Sequence, residues 1–219
     1  MEGFDLKTAL IKAFGETALM SGVSLLAAII IGGIIGLLLY ATSSRLFIRN
    51  KIINQLAGII INIIRSVPFL ILLVLLIPLS KTIVKTTIGP NAVIIPLSIA
   101  AIAFFARLAD SSFADVNQGV IESAISTGAS KWAVVLRVLL PEALPSLVRN
   151  ITVTAVSLIG FSAMAGTVGG GGIGDLAIRY GYQRYQISVM LICVVLLVLL
   201  VQGIQLVGDL IANSLDKKR

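Results

Sequence analysis

Of the 219 residues, 58% are hydrophobic and 12% charged, and the mean hydropathy is +1.05. One water-soluble core cannot hide that much apolar surface, so the chain reads as an all-α, polytopic integral membrane protein forming a single domain over 1–219. The net charge of +7 suits contact with membrane lipid, and the basic residues stand singly between apolar runs, which excludes a nucleic-acid-binding stripe. There is no His and Cys193 is the single Cys, which excludes an intrachain disulfide, a Cys/His metal cluster and a His-activated nucleophile. With no Walker Lys and no paired-carboxylate motif either, no enzyme activity and no cofactor are expected.

Apolar runs fall at roughly 17–40, 56–78, 92–109, 151–168 and 188–212. Each is near the ~20 residues a helix needs to cross ~30 Å of hydrocarbon, so about five spans are predicted. The first run is too long for a signal-peptide core and follows Glu2, Asp5, Lys7 and Lys12, so it is expected to stay as a helix. With five spans, Arg45, Arg49, Lys51, Arg107, Lys131, Arg137, Arg149, Lys217, Lys218 and Arg219 share one side. Lys7, Lys12, Lys81, Lys85, Arg179 and Arg184 take the other. Ten basic residues against six place the N-terminus outside and the C-terminus in the cytoplasm.

In the second run, Asn62-Ile63-Ile64-Arg65-Ser66-Val67-Pro68-Phe69 sets an Arg and a Pro in apolar sequence. The pattern predicts a helix break at Pro68, with Ser66 capping a new start. Arg65 is expected near the cytoplasmic interface or facing protein, in a structural role rather than on a substrate. At the cytoplasmic end of the third run, Arg107 and Asp110 lie one turn apart and should pair with each other.

A polar segment at roughly 115–145 follows. Glu122 to Thr127 are good helix formers ending at Gly128, which takes a left-handed conformation without a Cβ clash. Ser130 is placed to cap a second helix in which Trp132, Val135, Leu136 and Leu139 recur at helical spacing until Pro141 stops it. The apolar stripe is expected to pack on the membrane helices, leaving Ser126, Thr127, Ala129, Ser130 and Lys131 near the tip of a knob. Glu122 is read as a carboxylate at the start of the first helix. An ordinary surface hairpin is the competing reading.

The fourth run offers Ser157, Ser162 and Met164 as pathway or gate candidates, against simple helix packing. It ends in the run Gly169 to Gly172, which lacks the Gly-Lys-Ser/Thr ending of a phosphate loop. These glycines are read as permitting tight turns and close helix approach at an outer gate, with a mobile linker as the alternative.

The spacing Glu122-Ser123-Ala124-x3-Gly128-x9-Val138-x-Leu140-Pro141 closely follows the cytoplasmic docking loop of ABC importer permeases, with Ser123 for an Ala and Val138 for an Ile. Together with Leu140-Pro141-Glu142-Ala143-Leu144-Pro145 and Tyr180-Gly181-Tyr182-Gln183-Arg184-Tyr185, it makes nearly the whole chain resemble the permeases of methionine-type ABC importers. The resemblance implies a type I importer fold in a bacterial cytoplasmic membrane. It implies a second copy of the chain, two cytoplasmic ATPase subunits that hydrolyse the ATP, and an extracytoplasmic substrate-binding protein, commonly a lipoprotein. The substrate would be methionine, including its D-isomer, moved by alternating access. Glu122, Ala124, Gly128, Ala129, Ser130 and Lys131 would form the ATPase coupling site, while Arg65, Pro68 and Pro141 would be structural. A permease of the same architecture for another amino acid or small peptide, and a non-transporting scaffold, are the alternatives.

Overall fold

The computed structural model describes residues 5–44 and 46–216. Arg45, Lys217, Lys218 and Arg219, which enter the orientation argument, and Glu2, which precedes the first run, lie outside the described residues.

The first helix, α1 (Leu6–Ser43), is 38 residues long and passes through a π-helical turn at Ala28–Gly32. It begins eleven residues before the apolar run, because Asp5 caps its first turn and Lys12 and Glu16 pair at i,i+4, 3.9 Å apart. The helix α2 (Lys51–Ser66) is capped by Asn50, whose side chain accepts from Ile52 and Ile53 N–H. It meets α3 (Phe69–Val84) at a bend of 108°, so the second apolar run is a bent pair of helices rather than one straight helix. Then come α4 (Pro90–Ala114), the short α5 (Gln118–Ser126) and α6 (Lys131–Val168). The short α7 (Gly172–Leu176) continues as a π-helical turn over Ala177–Tyr182, and α8 (Ile187–Leu215) completes the chain. Among the described residues, four helices are long and apolar enough to cross a membrane, and five if the bent α2–α3 pair is taken as one span.

The central element is α4, against which α1, α3 and α6 all pack. Gly32 and Gly36 of α1 let the two backbones touch: a Cβ on Gly36 would lie 2.7 Å from Ala106 O and 2.7 Å from Ala109 Cβ. Small residues at such crossings are how membrane helices gain packing where lipid removes the hydrophobic drive. Polar side chains pin the same helices. Asn150 Nδ2 on α6 donates to Ser112 Oγ on α4 at 2.7 Å, Ser146 and Ser112 hydroxyls lie 3.0 Å apart, and Ser98 bonds Ser24 on α1 at 3.2 Å. The outward faces of α2 and α8 are rows of exposed Ile, Leu and Val, including Ile52, Leu56, Ile63, Leu199, Leu206 and Leu210, as a hydrocarbon solvent requires.

The break between α2 and α3 falls at Val67-Pro68, as the sequence predicts, but Ser66 does not cap α3. Its hydroxyl donates back to Asn62 O at 2.7 Å, and Pro68 occupies the cap position without a side-chain bond. Val67, extended before a proline, separates the two helices and leaves Ser66 inside the last turn of α2.

Candidate functional site

At one end of the molecule α5 and the start of α6 form a compact knob. Asn117 caps α5, with Oδ1 accepting from Gly119 N–H at 2.8 Å. The helix closes through a pair of bonds, Ala129 N–H to Ala124 O and Gly128 N–H to Ile125 O, with Gly128 at φ +86°. This is the six-to-one and five-to-two closure that requires a left-handed residue. Ser130 then caps α6, its Oγ accepting from Ala133 N–H at 3.3 Å. Gly128 and Ser130 thus serve as the sequence predicts.

Three expectations for the knob are corrected. The second helix does not end at Pro141: α6 runs through both Pro141 and Pro145. A π-helical turn at Val135–Leu139 precedes Pro141, and Leu140 N–H reaches back five residues to Val135 O. Widening the backbone there accommodates a ring that lacks an N–H and would crowd the carbonyl four residues earlier. Glu122 stands in the fifth position of α5 and not at its start, so Asn117, not a carboxylate, satisfies the first amides. The apolar anchor is Ile121, Val134, Val135 and Leu139, all buried, whereas Trp132 and Leu136 are exposed at 66% and 47%.

Ala124 and Ala129 pack inward on the core, while Glu122, Ser126, Thr127 and Ser130 are exposed. The Ser126 and Thr127 hydroxyls return to the α5 carbonyls of Glu122 and Ala124. Lys131 is exposed along its stem, but its ammonium donates to Phe47 O at 2.9 Å, tying the knob to the turn after α1. An open depression of 480 Å³ between Val120, Ser123, Thr127 and Val138 marks the face of the knob. On the same side Arg149 pairs with Asp216 at 3.6 Å, and Arg107 pairs with Asp110 at 3.0 Å as expected.

The opposite end is built on the glycine run. Gly169, Gly171 and Gly172 have φ near +80°, and Gly166 sits directly against the backbone of Gly174 and Asp175. The run is not a loose linker. Glu16 Oε2 on α1 accepts Gly172 N–H at 2.8 Å and Thr17 Oγ1 accepts Ile173 N–H at 2.9 Å. Asp175 is buried and paired with Arg179. The grip of α1 on α7 joins residues 156 apart, which no local pattern reveals.

Between the two ends, α6 presents Ser157, Phe161 and Met164 at i, i+4 and i+7, with Met164 exposed at 51%. Ser162 is turned away: it is buried and its hydroxyl donates to Ile159 O. Ser157 Oγ likewise donates to Val153 O at 2.8 Å, leaving Met164 as the exposed side chain of that stripe. Phe161 stacks on Phe69 at the α2–α3 bend, with ring centroids 4.7 Å apart.

Residues 28–219 match the family model of the binding-protein-dependent transport system inner membrane component. Over 209 residues the chain is 44% identical to a probable D-methionine transport system permease protein of Vibrio cholerae, covering 95% of this chain and 93% of that one. It is 44% identical over 181 residues to a methionine import system permease protein of Bacillus subtilis, covering 83% and 82%. A chain of the MetNI methionine ABC transporter, solved in an inward-facing conformation, superposes with a TM-score of 0.94 at 41% identity, over 96% of this chain and 98% of that one. An amino acid ABC transporter solved with histidines shares the fold, with a TM-score of 0.78 at 19% identity. The helical architecture, the knob and these matches agree: this chain belongs to the family of binding-protein-dependent transport system inner membrane components.

Proposed function

We propose that the chain is the membrane-spanning subunit of an ATP-driven importer that passes methionine, including its D-isomer, into a bacterial cell. Two copies would enclose the passage, two separate cytoplasmic ATPases would supply the energy, and an extracytoplasmic binding protein would deliver the substrate. The observation that carries this reading is the superposition, at 41% identity over almost the full length of both chains, on a methionine ABC transporter subunit.

The knob is the coupling device in this proposal. Its anchor of Ile121, Val134 and Leu139 is fully buried, so force on the exposed Glu122, Ser123, Ser126 and Ser130 is passed into α6 without slack. The helix α6 then runs unbroken to the glycine run, and it carries Met164 near its far end. Met164 is the gate residue: a flexible thioether seals a passage and still yields when the helices tilt. Pro68 and Pro141 shape the wall. The whole described chain acts as one permease domain.

Orientation follows the basic residues, with the N-terminus outside and the knob and C-terminus in the cytoplasm. A Ser130→Cys protein in intact cells checks it. An impermeant thiol reagent added outside is expected to leave this site unlabelled until the membrane is opened. Labelling from outside would place the knob away from ATP and end the coupling proposal.

A further inference from the structure

At the α2–α3 bend a cavity of 300 Å³ opens between Arg65, Pro68, Phe69, Leu72, Phe104 and Phe161. The guanidinium of Arg65 lies 6.0 Å from the centre of the Phe104 ring. Among the described residues Arg65 makes no ion pair and no hydrogen bond through its side chain. The sequence leaves little to supply a partner: from Thr17 to Ala109 the chain holds no Asp or Glu. Glu16 is engaged with Gly172, Asp110 with Arg107, Asp175 with Arg179 and Asp209 with Gln205. An ionisable side chain within a membrane segment is by default a candidate for a substrate or ion pathway.

We propose that this cavity is a station on the passage that holds a free α-amino acid, with its carboxylate on Arg65. Phe69, Leu72, Phe104 and Phe161 supply an apolar, largely aromatic wall for an uncharged side chain, and a thioether gains from such rings. The last carbonyls of α2, freed by the break, carry the partial negative charge that suits an ammonium. Phe161 stands between Ser157 and Met164 on the α6 stripe, so the cavity adjoins the proposed gate. The inference rests on the transport reading. The competing role of Arg65 is electrostatic only, a cation at the C-terminal end of α2.

The transporter reconstituted with its ATPase and binding protein separates these roles. Arg65→Gln is expected to lower methionine uptake by about tenfold or more, while assembly and binding-protein-stimulated ATP hydrolysis persist and Arg65→Lys keeps a substantial part of the uptake. Ala100 also lines the cavity, and in an Ala100→Cys, Cys193→Ala protein methionine should slow thiol labelling there and methionine methyl ester, which has no carboxylate, should not. Adding Arg65→Gln should abolish that protection. Uptake by Arg65→Gln at the parent rate, or equal protection by acid and ester, overturns the site while leaving the transporter reading intact. If the parent complex itself moves no methionine, the transport reading falls and the site falls with it.

Discussion

Replacing Gly128 by Val is expected to uncouple the protein while leaving it in the membrane. At φ +86° a β-branched side chain is strained by about 1–3 kcal/mol. A Cβ there meets nothing within 4 Å, so the penalty is conformational and not a clash that a neighbour relieves by moving. The two bonds that close α5, from Ala129 and Gly128 N–H, are the ones lost when the backbone relaxes to negative φ, and the cap at Ser130 is redirected with them. Set against a docking equilibrium, about 1–3 kcal/mol corresponds to five- to 150-fold weaker coupling. Membrane yield close to the parent, ATPase retention sharply reduced and uptake reduced in proportion are the expected readings. A Gly128→Val protein that holds its ATPase and transports at the parent rate would make the knob a passive connector.

Gly36→Val should act on folding instead. Its Cβ would fall 2.7 Å from Ala106 O and 3.1 Å from Asp110 N, so α1 and α4 must separate along their closest approach. Overpacking of this kind costs about 1–3 kcal/mol, and here the atoms in the way are backbone, which yields less than a side chain. The apparent melting temperature of the detergent-purified protein should fall and less complex should assemble. Gly15→Ala is the matched control: nothing lies within 4 Å of its added Cβ, so stability should be unchanged or slightly raised. Equal melting of Gly36→Val and the parent would show that the α1–α4 contact does not set stability.

Element type and the knob were legible in the sequence because their signals are local. Apolar runs of span length, a left-handed Gly and a Ser cap each act within a few residues. The misread features have physical causes of longer reach. Pro141 looks like a helix stop until the π-helical turn before it is known, and that turn has no residue signature. Ser66 looks like a cap, but the extended Val67 before Pro68 keeps it in the preceding helix. The first eleven residues of α1 are invisible to an apolar window since Lys7 and Lys12 lie among them. Trp132 and Leu136 fit a helical stripe by spacing, yet burial goes to Val134, which a period of 3.6 residues ranks no higher. The clamp of Glu16 and Thr17 on the glycine run depends wholly on tertiary folding.

On the proposed function, this chain forms a passage whose opening is driven by ATP on the side of the knob. Its most direct test is uptake of labelled methionine into vesicles holding the chain and its ATPase, with binding protein outside and ATP within. Accumulation is expected to require both ATP and binding protein and to stop when Gly128 is replaced by Val. Vigorous ATP hydrolysis with no movement of methionine would contradict it.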